Sequence, residues 1–356
     1  MPDVINFTRG APSPDLIPVE AVRTATAKVL EDDWKTALSY GVGIGHPGLC
    51  EWIAERHGIG SQEVMVTNGS LEAGAMLFRH LLSAGDRVIV EQPSYDRTLL
   101  LLEQLDVEFV PVRLEADGID VDAVEAALAE GPVKLAHIIP NFHNPAGCTL
   151  SLEKRERLVT LAEKHAFTIF EDDPYREIPF GEDPPPTMLS MDRADRVIHS
   201  SSFSKTISPG IRVGYLAGPA APIAELAKVA NETYISPNML AGAITLELGR
   251  SGVLDENIAK VKVELAARRD ALVEALRKHL PEADFVVPGG GYFLWAELGD
   301  GVDAVALAKR TKEAGAPFLV GPDFMLEGGE NAGRFSFAPV LPDHMDEGIR
   351  RIASVL

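Results

Sequence analysis

Between about residue 60 and residue 220, short runs of β-branched and aromatic residues alternate with stretches of helical spacing, which restricts the chain to β-α-β units around a mainly parallel sheet. Val88-Ile89-Val90, Phe109-Val110-Pro111-Val112, Leu135-Ala136-His137-Ile138-Ile139, Thr168-Ile169-Phe170, Val197-Ile198 and Val213-Gly214-Tyr215-Leu216 read as strands. Between them Val121, Val124, Ala127 and Leu128, or Leu158, Leu161 and Ala162, recur at helical spacing. Ser151, followed by Glu153, is placed to cap one of these helices. Beyond about residue 240 the texture changes to a long helix over 258–280, a Gly289-Gly290-Gly291 turn and short strands near Phe293 and Phe335, the makings of a smaller α+β unit. Residues 1–40 carry Pro12, Pro14 and Pro18 with one short helix, too little for a core of their own, and are expected to join that smaller unit and the cleft. The expected division is therefore 41–240 against 1–40 with 241–356, with Pro184-Pro185-Pro186 as a loop and no internal repeat.

A length of 356 residues, 46% of them hydrophobic, suits two such units. The net charge of −20 opposes attraction to nucleic acid or anionic lipid. Cys50 and Cys148 form no C-x-x-C pair, so neither a disulfide framework nor a zinc knuckle is indicated, and a reducing cytoplasm is expected. Met1-Pro2-Asp3-Val4-Ile5-Asn6 has no basic region leading into an apolar core, and no apolar run reaches spanning length, so neither a leader nor a membrane anchor is expected.

Five segments carry chemistry. Ser201-Ser202-Phe203-Ser204-Lys205 follows the apolar pair Val197-Ile198 and precedes Arg212 by seven residues at the lysine. A lysine becomes nucleophilic when desolvation and cationic neighbours lower its pKa, and a phosphate-bearing aldehyde cofactor needs an anion pocket beside the bond it forms. Taken alone, Lys205 is either such an amine or a surface lysine. Glu171-Asp172-Asp173-Pro174-Tyr175 ends a strand at the edge where open α/β sheets bind ligands, or else forms a solvated acidic turn. Asn141-Phe142-His143-Asn144-Pro145 turns tightly after another strand and can aim an amide into the cleft. Thr67-Asn68-Gly69-Ser70-Leu71-Glu72 lies at a strand-to-helix junction, an anion seat or a plain cap by Ser70. Gly333-Arg334-Phe335-Ser336-Phe337 sets a guanidinium at the edge of an apolar strand, where it needs a carboxylate from a substrate or from the protein.

Taken together and in this order, the segments resemble those of the class I/II aminotransferase family, the fold-type I pyridoxal-phosphate-dependent enzymes. The resemblance implies an α/β fold with a mainly parallel seven-stranded sheet in the large domain and a smaller α+β domain. It implies that Lys205 binds pyridoxal 5'-phosphate and is the catalytic base and acid. Asp172 then faces the ring nitrogen, Tyr175 and Asn144 the phenolic oxygen, and Tyr95 of Glu91-Gln92-Pro93-Ser94-Tyr95 stacks on the ring. The phosphate falls to Ser70 with the neighbouring Gly69 and Leu71 amides, closed by Ser202, Ser204 and Arg212. Arg334 grips the substrate α-carboxylate, helped by Asn144, with Gly10 of Asn6-Phe7-Thr8-Arg9-Gly10 nearby. Arg9 reads a polar or acidic side chain or pairs with a surface acid. Tyr40 of Ser39-Tyr40-Gly41 crosses to the phosphate of a second subunit, which implies a homodimer with composite sites. Two positions depart from the family pattern: Ala146 replaces a threonine and Cys50 an arginine.

The implied activity is ping-pong transfer of an amino group from an L-amino acid to a 2-oxo acid. A carbon–sulfur lyase, an oxidase or a cofactor-sensing regulator uses the same cofactor shell; no helix-turn-helix extension is seen, and the acidic charge argues against a regulator. Gly43-Ile44-Gly45-His46-Pro47-Gly48 matches G-x-G-x-x-G literally, but no strand precedes it and Pro47 disrupts the helix start, so no dinucleotide site is expected. The nine histidines show no metal-ligand spacing; no metal is expected, and most histidines are assigned to the surface or to packing.

Overall fold

A computed structural model describes residues 4–356; Met1, Pro2 and Asp3, on which part of the leader argument rests, lie outside the described residues. Eight strands form the large sheet: β1 (Val64–Thr67), β2 (Arg87–Gln92), β3 (Glu108–Glu115), β4 (Gly118–Ile119), β5 (Leu135–Ile138), β6 (Thr168–Asp172), β7 (Val197–Ser202) and β8 (Gly214–Ala217). Their order is β1-β8-β7-β6-β5-β2-β3-β4. The central five, β7 through β3, are parallel, while β8 runs antiparallel to both β1 and β7. Helices cover both faces, so β5 is buried at every position and reads as a nearly continuous apolar run.

The eighth strand is β4, a two-residue hairpin return on β3 that pairs Leu114 with Ile119. The family resemblance implies seven strands; this return is the additional one, and its two residues leave no periodicity to read. Gly118 makes the return possible, with φ at +106° and no room for a Cβ beside Leu150. Ser151 stands at its cap position but makes no capping bond; its hydroxyl is turned toward the Asp117 carboxylate. A true side-chain cap is made one helix earlier, where Asp120 accepts from the Ala123 amide at 3.0 Å.

A second sheet, β10-β11-β9, is antiparallel and built from β9 (Phe293–Glu297), β10 (Leu319–Val320) and β11 (Ala332–Ser336). Ile5 and Phe7 bond to Gly315 and Pro317 through their amides, and Ser336 donates to the Phe7 carbonyl, so the chain before Gly10 is laid along this sheet. Phe7, Leu16, Leu272, Phe293 and Phe335 share its core. The helix Val19–Asp32 does not follow. Ala25 and Val29 pack with Leu49, Val64, Phe203 and Ile244 in a core that belongs to the large sheet. Residues 1–40 are thus divided between two cores, because the apolar stripe of that helix matches the helix Met239–Arg250. The helix Val253–His279 joins the two cores: Leu254 and Ile258 lie in one, Leu265, Leu272 and Leu276 in the other.

Candidate active site

The C-terminal ends of the central strands and the turns that follow them surround a cavity of about 200 Å³. Ser70, Leu71, Tyr95, Asn144, Asp172, Tyr175, Ser202, Ser204, Lys205 and Arg212 all line it. Ten of the residues singled out in the sequence, drawn from five separate segments, therefore meet in one place.

Lys205 lies in the turn after β7. Its Nζ donates to the Gly10 carbonyl at 2.6 Å and sits 5.5 Å and 5.2 Å from the ring centres of Tyr175 and Tyr292. Burial pulls the ammonium from 10.5 to about 8, aided by Arg334 and Arg212 and opposed by Asp172. The neutral fraction at pH 7 rises to roughly a tenth, from well under a thousandth at the ordinary value, in the direction a nucleophilic amine requires.

Asp172 ends β6. One carboxylate oxygen meets His137 Nε2 at 3.4 Å, while Oδ1 is buried with no partner. A buried acceptor left open beside a reactive amine fits a cationic N–H donor such as a protonated pyridine ring. His137, buried on β5 and stacked on Phe170, approaches Ser94 Oγ through its other nitrogen at 3.5 Å. Sequence reasoning assigned the histidines to surface or packing and missed it; the available signal was one polar ring inside the apolar run of β5.

The anion seat forms where β1 meets the helix Ser70–Leu81. Gly69, not Ser70, is the cap residue, so Ser70 falls in the first turn with the free N–H groups. Gly69 adopts φ +102°, and a Cβ there would meet Arg212 Nη2 at 2.2 Å. Arg212 donates to the Asn68 carbonyl at 3.0 Å and to Ser204 Oγ at 3.4 Å, and Ser202 Oγ donates to Ser204 Oγ at 2.9 Å. Helix amides, hydroxyls and a guanidinium converge as a phosphate requires.

At the other end, Arg334 of β11 donates to Asn144 Oδ1 at 2.9 Å and to the Thr8 carbonyl at 2.8 Å. Its guanidinium lies 4.2 Å and 4.7 Å from the Phe293 and Phe324 ring centres, and its Nε is buried without a partner. Burial lowers its pKa, opposed by the charges around it. Because Asn144 accepts from Arg334 through oxygen, its amide N–H groups remain available to the cavity. The Asn144 turn is held by groups the sequence did not flag. His143 Nδ1 accepts from the Ala146 amide at 3.2 Å, so Nε2 carries the proton shared with Glu91 at 3.0 Å. Buried Arg155 donates to the Pro140 carbonyl and to Asn141 Oδ1.

Burial pushes the Tyr95 phenol up to about 12 and that of Tyr175 higher still, so both rings stay neutral. Tyr40 is 87% exposed and does not line the cavity of its own chain. Arg9 is exposed and forms no ion pair among the described residues. On the opposite face of the sheet from Asp172, Glu171, Asp173 and His199 bring three ligand-type atoms within 4.8 Å. Glu171 is already saturated there, accepting from the Met188 and Leu189 amides and from His199.

A buried amine, an open carboxylate oxygen, a helix N-terminus ringed by hydroxyls and a guanidinium, and a second buried guanidinium in one cleft are the groups that a pyridoxal-phosphate-dependent enzyme acting on amino acids requires. Comparison with known proteins gives the same class. The family model described as aminotransferase class I and II matches residues 2–352. An aromatic-amino-acid aminotransferase of Thermococcus litoralis is 32% identical over 367 residues, covering 99% of this chain and 88% of the relative. A 2-aminoadipate transaminase of Thermus thermophilus is 31% identical over 360 residues, covering 100% and 90%. The crystal structure of a Pyrococcus horikoshii kynurenine aminotransferase, in complex with PMP, superposes with a TM-score of 0.95 at 31% identity, covering 99% of this chain and 90% of that one. The chain belongs to the class I and II aminotransferase family and is a pyridoxal-phosphate-dependent transaminase.

Proposed function

We propose that Lys205 is the base and acid of the transfer, that Arg334 anchors the α-carboxylate of both the amino acid and the 2-oxo acid, and that aromatic, kynurenine-like or 2-aminoadipate-like amino acids are the donors. The donor classes are those named for the relatives above. One observation carries the site assignment: Asp172, whose buried Oδ1 has no partner, lines the same small cavity as Lys205.

When bound, pyridoxal phosphate supplies an aldehyde that takes up the amino group and a protonated ring that draws off the electrons left at the α-carbon. Asp172 Oδ1 would accept from the protonated ring nitrogen, Tyr175 and Asn144 Nδ2 would donate to the phenolic oxygen, and Tyr95 would cover the ring. Ser70, the Gly69 and Leu71 amides, Ser202 and Ser204 would donate to the phosphate, and Arg212 would offset its charge. Arg334 takes one carboxylate in its fork, exchanging the Thr8 carbonyl for a charged acceptor and engaging its free Nε. Lys205 Nζ, with a pKa lowered to about 8, takes the α-proton.

We propose further that two copies associate and that Tyr40 completes the neighbouring phosphate seat. Its exposure, together with that of Trp34, Leu38 and Val42, supports this reading. Free, buried Cys50 and Cys148 support a reducing, cytoplasmic setting. We also keep the proposed two-domain division at residues 40 and 240, amended so that the helix Val19–Asp32 goes with the large sheet.

The test is an absorption spectrum of the purified protein with the cofactor, before and after adding each donor without an acceptor. Conversion of the visible band to a near-ultraviolet one by one donor class supports the reading and names the donor. A band that no amino acid changes, in folded protein, overturns it.

A further inference from the structure

The cleft around Lys205 is not the only sizeable hollow in the protein. A cavity of about 480 Å³ opens on the other face of the large sheet, more than twice the volume of the cleft and within the range that takes small organic ligands. Neighbouring residues of a strand point to opposite faces, so Glu171 turns toward His199 while Asp172 turns toward the cofactor seat. His199 and Ser201 of β7 and Tyr215 of β8 line the hollow.

Its walls combine rings with charge. Trp52, Phe203 and Tyr215 supply flat apolar faces, and Trp52 and Phe203 lie 6.2 Å apart between ring centres. The charged lining groups are Arg56, Arg176 and Glu177. Arg56 is engaged: it lies 4.9 Å over the Trp52 ring and pairs with Glu177 at 3.4 Å and Asp255 at 3.5 Å. Arg176 is engaged through Nη1 alone, which donates to the Pro185 carbonyl at 2.8 Å and pairs with buried Asp173 at 4.0 Å, while its Nη2 and Nε make no hydrogen bond among the described residues. His57 adds no charge, since burial beside His199 holds it down at about 3. The lining therefore carries a net positive charge, with one guanidinium fork largely open beside aromatic walls.

We infer that this cavity is a second binding site, for an aromatic monocarboxylate whose ring lies against Trp52 and Phe203 and whose carboxylate is taken by Arg176. A planar fork recognises a carboxylate through two parallel bonds, and flat rings favour an aromatic body. The site is coupled to the cofactor seat by shared walls. Pro174 and Ser202 line both cavities, and Ser202 Oγ donates to Ser204 Oγ within the phosphate cup. An occupant that shifts Ser202 alters how tightly the phosphate is held.

The test titrates the cofactor-loaded enzyme with indole-3-acetate by calorimetry, alongside the neutral indole-3-acetamide. Because an aromatic acid also suits Arg334, the titration is repeated with Arg334→Gln and with Arg176→Gln. The expected result is saturable one-to-one binding that survives Arg334→Gln, weakens tenfold or more in Arg176→Gln, and is weaker by a similar factor for the amide, as loss of a charge-assisted bidentate contact requires. Indole-3-acetate should also change the dissociation constant of pyridoxal phosphate in the wild type but not in Arg176→Gln. Should Arg176→Gln fail the circular-dichroism check for folding, Arg176→Lys, which keeps the charge but cannot present two parallel donors, takes its place with the same expected loss. Binding lost in Arg334→Gln and unchanged in Arg176→Gln puts the probe in the substrate site alone and overturns the inference, as does the absence of saturable binding at millimolar probe.

Discussion

Arg334 Nη1 and Asn144 Oδ1 are joined by a 2.9 Å hydrogen bond across 190 residues of sequence. The bond ties the smaller sheet to the turn after β5, so the proposed carboxylate anchor and the proposed cofactor-facing amide are set in register by one contact. Replacing Arg334 therefore also releases Asn144.

Arg334→Gln should lower kcat/KM for amino acids and 2-oxo acids roughly 100-fold, mostly through KM, because a buried charged fork is lost. Arg334→Lys should recover little of this, since a point charge cannot present two parallel donors. Steady-state kinetics with an amine that lacks a carboxylate is the control: its rate should be nearly indifferent to either change. An equal loss for that amine would show that the residue supports the fold rather than the carboxylate.

Lys205→Ala should abolish the visible band and reduce turnover by about 1,000-fold or more while leaving the fold intact. Wild-type rates in that variant would remove Lys205 from the chemistry.

The lowered pKa of Lys205 also has a stability sign. Its folded value, about 8, lies below the ordinary 10.5, so the unfolded chain binds the proton more tightly. The penalty is complete below pH 8 and fades as pH rises toward 10.5. In cofactor-free protein, Lys205→Met should raise the melting temperature at pH 7, and the gain should shrink as the pH is raised through 8 to 10. Thermal unfolding at several pH values checks this; a gain that grows with pH contradicts it.

Asp172→Asn should retain the cofactor yet lose turnover by roughly 100-fold, since a neutral amide no longer holds the ring proton. Asp172→Glu should do better than the amide. A titration of the visible band against pH separates loss of the ring proton from simple loss of cofactor.

Gly69→Ala meets two obstacles, a backbone at φ +102° and the Arg212 guanidinium 2.2 Å from the new Cβ. About 1–3 kcal/mol of backbone cost is expected, along with displacement of Arg212 from the Asn68 carbonyl. Weaker retention of the cofactor on dialysis, with little change in the carboxylate dependence of KM, is the outcome to look for.

Much of this site was readable because each contributing segment ends or follows a strand: Asp172 closes β6, and the Lys205 turn follows β7. Position in the pattern placed these residues at one sheet edge, while their expected roles came from the family resemblance. What escaped were partners supplied across the sheet. His137 touches Asp172 from the next strand, and Arg155 grips the Asn141 turn from a helix, contacts that sequence spacing does not encode. The helix Val19–Asp32 escaped for a related reason. Its apolar stripe shows that it must be covered, but not which of two cores covers it. Ser151 looked like a cap because local propensity favours one there, yet a nearby carboxylate claims its hydroxyl.

The helix Val253–His279 has 27 residues and is therefore a rod about 40 Å long, clamped near one end in one core and along the rest in another. Such a rod behaves as a lever. A tilt of about 5° at one clamp carries the far end through about 3 Å, the length of the Arg334–Asn144 hydrogen bond, so the contact between the smaller sheet and the turn after β5 is sensitive to any bend of this one helix.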